Sequence, residues 1–217
     1  MSEEKKKLLF SVTVPLAFII FLWIIQIIQY LFDLNLDKFG LLPRHIAGLI
    51  GIITAPLLHA GFAHLFSNTL PLLFLGTGIL YFYPESAFKV FLIVYIIPGI
   101  FVWLFARTAY HIGASGMVYG FVTFLFFSGI IRRDTRSIAL ALIVTFLYGG
   151  IVWGVLPLAN GISWEYHLFG SLTGIYCAFA FRGSDPYKKY DWEDESEDDW
   201  PEKLEISHHK GYPYDEK

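Results

Sequence analysis

Residues 111–120 read His-Ile-Gly-Ala-Ser-Gly-Met-Val-Tyr-Gly, a run of small residues that opens an apolar helix with a serine at its mouth. Gly113 and Gly116 flank Ser115 and let backbone or another helix come close, because neither carries a Cβ. The N–H groups of a first helical turn lack intrahelical partners. Negative charge growing beside Ser115 therefore meets free donors and the positive end of the helix dipole. Taken alone, the commoner meaning of such a pattern is a helix-capping serine between packing glycines. The rest of the chain decides between the two.

The chain of 217 residues is 55% hydrophobic and only 16% charged, with a mean hydropathy of +0.54. That is too apolar for an ordinary soluble domain of this length and indicates a multi-span membrane protein. The net charge of −3 reflects an acidic tail, and no basic patch with base-stacking aromatics occurs, which argues against a nucleic-acid partner. The one cysteine, Cys177, lies in an apolar run, so neither an intrachain disulfide nor a cysteine-based metal site is expected.

In chain order, residues 1–7 form a polar, basic leader. Leu8 to about Phe32 is an apolar run long enough to cross a bilayer core of roughly 30 Å. It is too long for the apolar region of a signal peptide, and no small-x-small cleavage site follows. From Asp33 to Pro56, charges, glycines and prolines interrupt short apolar stretches, which predicts an interfacial loop with short helices. Five further spans are expected: about Leu57 to Phe82, Ala87 to Ala106, Ser115 to Ile131, Ser137 to Leu156, and Glu165 to Phe181. The fold expected is thus an all-α, polytopic six-helix bundle over residues 8–182. Residues 183–217 follow as an acidic tail whose composition predicts partial disorder.

Lys5, Lys6, Lys7, Lys89, Arg132, Arg133, Arg136, Arg182, Lys188 and Lys189 fall at one face of this arrangement, against Lys38, Arg44 and Arg107 at the other. The positive-inside rule then makes both termini cytoplasmic.

Polar side chains inside spans are costly enough to be functional candidates. Span two carries His59, His64, Ser67 and Asn68, with His64 and Asn68 four apart on one helix face. Span six opens with His167 in its first turn, and Gly170 and Gly174 form a small-xxx-small face matching Gly116 and Gly120 on span four. Ser115 precedes Arg132 by about 17 residues, His167 precedes Arg182 by about 15 and Asn68 precedes Pro84 by about 16, or roughly 23 to 26 Å each at helical rise. All three share one depth, toward the outer face. Glycine faces that bring spans four and six together put Ser115 within hydrogen-bonding reach of His167, the relation of nucleophile and base. No buried Asp completes a triad, and Glu165 points largely away from His167. Tyr119, four residues after Ser115, either stacks on the imidazole or is a plain core tyrosine.

Assembled, these residues make the chain resemble the rhomboid family of intramembrane serine proteases, a likeness covering roughly Leu8 to Arg182. It rests on Gly113-Ala114-Ser115-Gly116 with Tyr119, on His59, His64 and Asn68, and on His167 with Gly170 and Gly174. The resemblance implies a Ser115–His167 dyad, an oxyanion hole from the Ser115 N–H with His64 and Asn68, a Tyr119 stack against His167, and a structural role for His59. It also implies transmembrane proteins as substrates, cut near the outer face where their helices are weakened. Span five, with Gly149-Gly150, Phe146, Tyr148 and Trp153, resembles a lateral gate, although lipid-facing aromatics on an ordinary span give the same pattern. The family's Trp-Arg pair in the first loop is replaced by Leu41-Leu42-Pro43-Arg44.

The chemistry expected is acyl transfer without a cofactor or metal, in a polar cavity lined or surrounded by His64, Ser67, Asn68, Thr69 and Ser171. A zinc protease is excluded by the absence of His-Glu-x-x-His, and His59 and His64, five apart, do not share a face. A transporter would spread ionisable residues through the membrane depth. The alternative is a rhomboid-fold helix-binding protein with an idle dyad, whose usual sign, loss of the serine or histidine, is absent. His45 and His111 are expected to be ordinary interfacial residues.

Overall fold

The computed structural model describes residues 1–158 and 161–187. Most of the expected acidic tail, residues 188–217, lies outside the described residues. Helix α1 (Glu3–Leu31) starts at Ser2, whose hydroxyl accepts from Lys5 N–H, with Glu3 and Glu4 in its first turn at the positive end of the dipole. A short helix, α2 (Gly51–Thr54), follows between 3-10 turns at Asp37–Phe39, Ile46–Ile50 and Ala55–Leu57. Then come α3 (Phe62–Phe82), α4 (Ala87–Phe105), α5 (Ser115–Arg132), α6 (Thr135–Tyr148) and α7 (Trp164–Ala180). Helices α1, α3, α4 and α5 are long and apolar enough to cross a membrane, and the described residues form a multi-pass helical protein.

Helix α1 takes in most of the expected leader, starting at Glu3 rather than Leu8, and two boundaries near the Ser115 loop and in span five also differ from the sequence reading. The second span was expected from Leu57, with His59 inside it, yet α3 begins only at Phe62. The preceding stretch is held instead against the loop ahead of Ser115: Ala55 carbonyl accepts from Gly113 N–H at 2.8 Å, and His59 Nε2 accepts from Ala114 N–H at 3.3 Å. The backbone is extended at Leu58 (ψ 141°) and at Gly61 (ψ 176°), so no helix runs through this stretch. The fifth span was expected as one helix to Leu156, but α6 stops at Tyr148 and Gly149–Val155 runs on as a 3-10 helix. Gly149 and Gly150 have the lowest helix propensity of ordinary residues, and the tighter coil advances about 2.0 Å per residue rather than 1.5.

Helices α5 and α7 make the closest pairing. A Cβ on Gly170 would collide with the Gly116 carbonyl, and one on Gly174 with the Gly120 carbonyl and Thr123. Their backbones touch because small residues line the seam. Thr123 reinforces it by donating to the Ser171 carbonyl at 2.9 Å. The first loop is fixed without a Trp-Arg pair. Leu41 and His111 form an antiparallel bridge, Arg44 donates to the Ala106 carbonyl at 2.6 Å and Thr108 Oγ1 at 2.9 Å, and Trp103 of α4 donates to the His45 carbonyl at 3.0 Å.

At the far end of α5 from Ser115, Arg132 donates to the carbonyls of Phe181, Ser184 and Asp185. The Asp185 carboxylate accepts from Glu85 N–H (2.6 Å), Ser86 N–H (3.2 Å) and Ser86 Oγ (2.6 Å). Residues just past Arg182 thus pack into the helical body.

Candidate active site

The nucleophile candidate stands where a tight loop meets a helix. Gly113 adopts φ +113°, a backbone region that side chains with a Cβ rarely enter, and a Cβ there would also lie 2.6 Å from the His64 ring. With Gly113 N–H bonded to Ala55 and Ala114 N–H to His59, Ser115 is the next residue and the first of α5. Its N–H has no acceptor among the described residues and stays available beside the side-chain oxygen.

Ser115 Oγ lies 2.7 Å from His167 Nε2, and His167 Nδ1 lies 2.9 Å from the Gly154 carbonyl oxygen. A carbonyl can only accept, so Nδ1 carries the ring hydrogen and the Nε2 lone pair faces the serine hydroxyl. The Tyr119 ring stacks on the imidazole, with centroids 4.1 Å apart and planes 8° from parallel. Gly154 fits because it lacks a side chain: a Cβ would run into Tyr119 Oη and come within 3.3 Å of His167 Nδ1. His167 is 8% exposed. One polar edge of its ring thus has a fixed partner and the other meets Ser115.

Both residues line a cavity of about 590 Å³ that His64, Ser67 and Asn68 reach from α3. Asn68 donates to the His64 carbonyl at 3.1 Å and Ser67 to the same oxygen at 2.7 Å, which fixes both side chains on their helix. His59, buried behind the cavity, meets His64 edge-to-face at 5.1 Å between centroids. Thr69 and Ser171 do not line it. Thr69 Oγ1 accepts from Trp23 of α1 at 3.1 Å, because one residue after Asn68 is a turn of about 100° around the helix. Ser171 faces a separate, largely apolar cleft of about 500 Å³ between α5, α6 and α7.

His111 was expected to be an ordinary interfacial residue and is instead 1% exposed and part of the cavity wall. Its Nδ1 lies 2.5 Å from Ser163 Oγ and its Nε2 3.1 Å from the Arg107 carbonyl. Burial holds its pKa below the ordinary imidazole range, with smaller upward pulls from the Arg107 carbonyl and Glu165 and a downward one from the Arg107 guanidinium. Glu165, as its helix position implies, turns away from His167 and meets Arg107 Nε at 3.4 Å. The Gly154 carbonyl, His111 and Ser163 are the groups around the cavity histidines that sequence reasoning missed. A backbone acceptor has no residue signature, whereas the spacing of His111 four residues before Ser115 was a signal open to use.

The chain is similar in sequence to several known proteins. An uncharacterized protein of Mycobacterium bovis is 36% identical over 181 residues, covering 77% of this chain and 73% of its own. An uncharacterized Mycobacterium tuberculosis protein matches to the same extent, and one from Mycobacterium leprae is 34% identical over 173 residues, covering 76% and 68%. The family model described as the rhomboid domain matches residues 47–184, a span that takes in α3, the Ser115 loop and the whole of α7. With that match over most of its length, the chain belongs to the rhomboid family.

Proposed function

We propose that this chain is an intramembrane serine endopeptidase that cleaves transmembrane segments of other membrane proteins near the outer face of the cell membrane. The observation that carries the reading is the 2.7 Å contact between Ser115 Oγ and an imidazole whose other nitrogen is committed to a carbonyl. A serine hydroxyl is a weak nucleophile until a base takes its proton, and His167 has the free lone pair to do so.

Ser115 Oγ attacks the scissile carbonyl as His167 Nε2 takes its proton. The resulting oxyanion draws on the Ser115 N–H with His64 and Asn68 as side-chain donors, each good donor being worth on the order of 3 kcal/mol. The C–N bond then breaks as His167 returns the proton to the departing amine, and water, activated by the same nitrogen, releases the acid. Tyr119 keeps the ring in plane, and His59 acts structurally by holding the Ala114 N–H. Gly113, Gly116, Gly170 and Gly174 let the pieces meet. No cofactor enters this scheme.

In this reading six spans cross the bilayer: α1, α3, α4, α5, α6 with its 3-10 extension, and α7. Both termini are cytoplasmic and the cavity opens outward, which the distribution of Lys and Arg supports. Residues 1–7, 8–182 and 183–217 are the cytoplasmic leader, membrane domain and tail. The substrate helix unwinds locally at small or helix-weakening residues, since an intact helix shields its carbonyls.

The test is cleavage of a tagged single-span protein with a Gly/Ala-rich outer segment, in detergent without added metal, by wild type, Ser115→Ala and His167→Ala. Product from wild type alone is expected. Equal product from all three would sink the assignment. Failure of folded wild type both to cleave and to react with a fluorophosphonate at Ser115 would turn the reading to helix binding.

A further inference from the structure

Beside the Ser115–His167 contact lies a second serine–histidine contact, with the two segments that carry the serine and the histidine exchanged. His111 sits four residues before Ser115, and Ser163 four before His167. Both line the same cavity wall. The Arg107 carbonyl at His111 Nε2 can only accept, so Nε2 carries a hydrogen and Nδ1 of the neutral ring accepts a hydrogen bond from the Ser163 hydroxyl. Ser163 occupies the N-cap position of α7, but its hydroxyl caps none of that helix's N–H groups. A serine at an N-cap ordinarily satisfies the second or third N–H of its own helix. Here it reaches across to the α4–α5 loop instead.

The loop end of this contact is anchored. His111 N–H donates to the Leu41 carbonyl at 2.9 Å, and Leu41 N–H to the His111 carbonyl at 3.0 Å. The helix end leads directly to the base, because the Ser163 carbonyl accepts from His167 N–H at 3.3 Å. The charged groups that face the pair are Arg107 and Glu165. Arg107 meets Glu165 Oε1 and also donates to the Ile162 carbonyl, a second tie between the same two segments.

We infer that His111 and Ser163 are a positioning pair, which locks the segment carrying Ser115 to the start of the helix carrying His167 and so sets the distance between the two. Its effect on catalysis rests on the protease reading above. Misplacement by about 1 Å is enough to cost two orders of magnitude in rate. The pair acts on the separation of nucleophile and base and touches no reacting atom.

The experiment uses the full-length protein in detergent, with Ser163→Ala, Ser163→Thr, His111→Ala and the Ser163→Ala/His111→Ala double variant. The readouts are kcat and KM on a single-span substrate, the rate of fluorophosphonate labelling at Ser115, and the melting temperature. Ser163→Ala and His111→Ala should each lower kcat and the labelling rate about tenfold, with KM within about twofold of wild type. The double variant should be no worse than the weaker single one, and Ser163→Thr should restore the rate to within about threefold, because it keeps the donor. Losses that multiply, unchanged rates, or a threonine variant as slow as alanine overturn the inference. Nitrogen-15 spectra of histidine-labelled protein read the pair without turnover. An Nε2–H tautomer at His111, with an Nδ1 resonance that shifts in Ser163→Ala, is expected, and an Nδ1–H tautomer overturns the pair even where cleavage proceeds. Wild type that neither cleaves nor labels defeats the protease reading and leaves the spectra to decide the pair.

Discussion

The Nδ1 of His167 lies 2.9 Å from the carbonyl oxygen of Gly154, and that carbonyl occupies the place beside the imidazole where serine–histidine–aspartate sites put a carboxylate. It comes from the 3-10 stretch after α6, so the ring's orientation depends on a segment at the edge of the bundle.

Gly154→Ala tests this dependence. The added Cβ overlaps Tyr119 Oη and crowds His167, so the stack or the 3-10 stretch has to shift. Labelling of Ser115 by a fluorophosphonate should fall about 100-fold, the lower range for loss of a positioned base. A rate within threefold of wild type would mean that the carbonyl does not set the ring.

Tyr119 should matter through its ring more than through its hydroxyl. With planes 8° apart and centroids at 4.1 Å, the stack survives in Tyr119→Phe and is lost in Tyr119→Ala. Aromatic pairs are worth about 0.5–1.5 kcal/mol beyond their burial, so alanine should slow cleavage by up to about tenfold more than phenylalanine does. Equal rates for the two variants would count against a role for the stack.

Gly170→Ala places a methyl group against the Gly116 carbonyl. Overpacking of this kind costs about 1–3 kcal/mol, and here it also pushes α7 away from the helix that carries Ser115. A lower melting temperature in detergent together with slower labelling of Ser115 is expected. A fall in stability alone would separate the seam from the site.

Asp185 provides the opposite control. Asp185→Ala strands the N–H and hydroxyl of the buried Ser86 at the far end of the bundle, a loss of about 1–3 kcal/mol per buried unsatisfied donor. The melting temperature should drop while labelling of Ser115 at 25 °C stays within about twofold of wild type. Loss of labelling in protein that is still folded would reveal coupling between the two ends.

Acid should weaken the protein through His111. Its folded pKa lies below the ordinary 6.5 because burial disfavours the cation, so the unfolded chain binds this proton more readily. The stability it contributes is fully present above about pH 6.5 and is lost as pH falls from there through the lower, folded pKa. The Ser163 hydroxyl, Arg107 and Glu165 are the groups that face it. Melting temperatures between pH 7.5 and 5 should therefore fall more steeply for wild type than for His111→Gln, and parallel slopes would remove His111 as the source.

Much of this arrangement was legible in the chain because membrane helices make depth countable. Residue counts to the ends of their spans put Ser115 and His167 at one level, and the spacing of Gly116, Gly120, Gly170 and Gly174 marked the faces that meet. The count fails where rise or helicity changes. Gly149-Gly150 open a 3-10 helix at the end of span five, and extended backbone at Leu58 and Gly61 lets α3 start only at Phe62. Rotation about a helix axis was the other blind spot: Thr69, at the right height, faces Trp23. His111 was expected to be an ordinary interfacial residue because nothing in the sequence marks its bridge to Leu41, at which it is only 1% exposed.

A peptide carbonyl has no proton to gain and no net charge at any pH a cell encounters. A carboxylate in the place of Gly154 would hold an anion in a region where burying one costs several kcal/mol, and in acid it would become protonated and release the ring. The dipole of a single peptide bond avoids both. With a neutral ring between that carbonyl and the Ser115 hydroxyl, the three groups carry no net charge, and under the proposed reaction charge would separate there only as the substrate bond breaks.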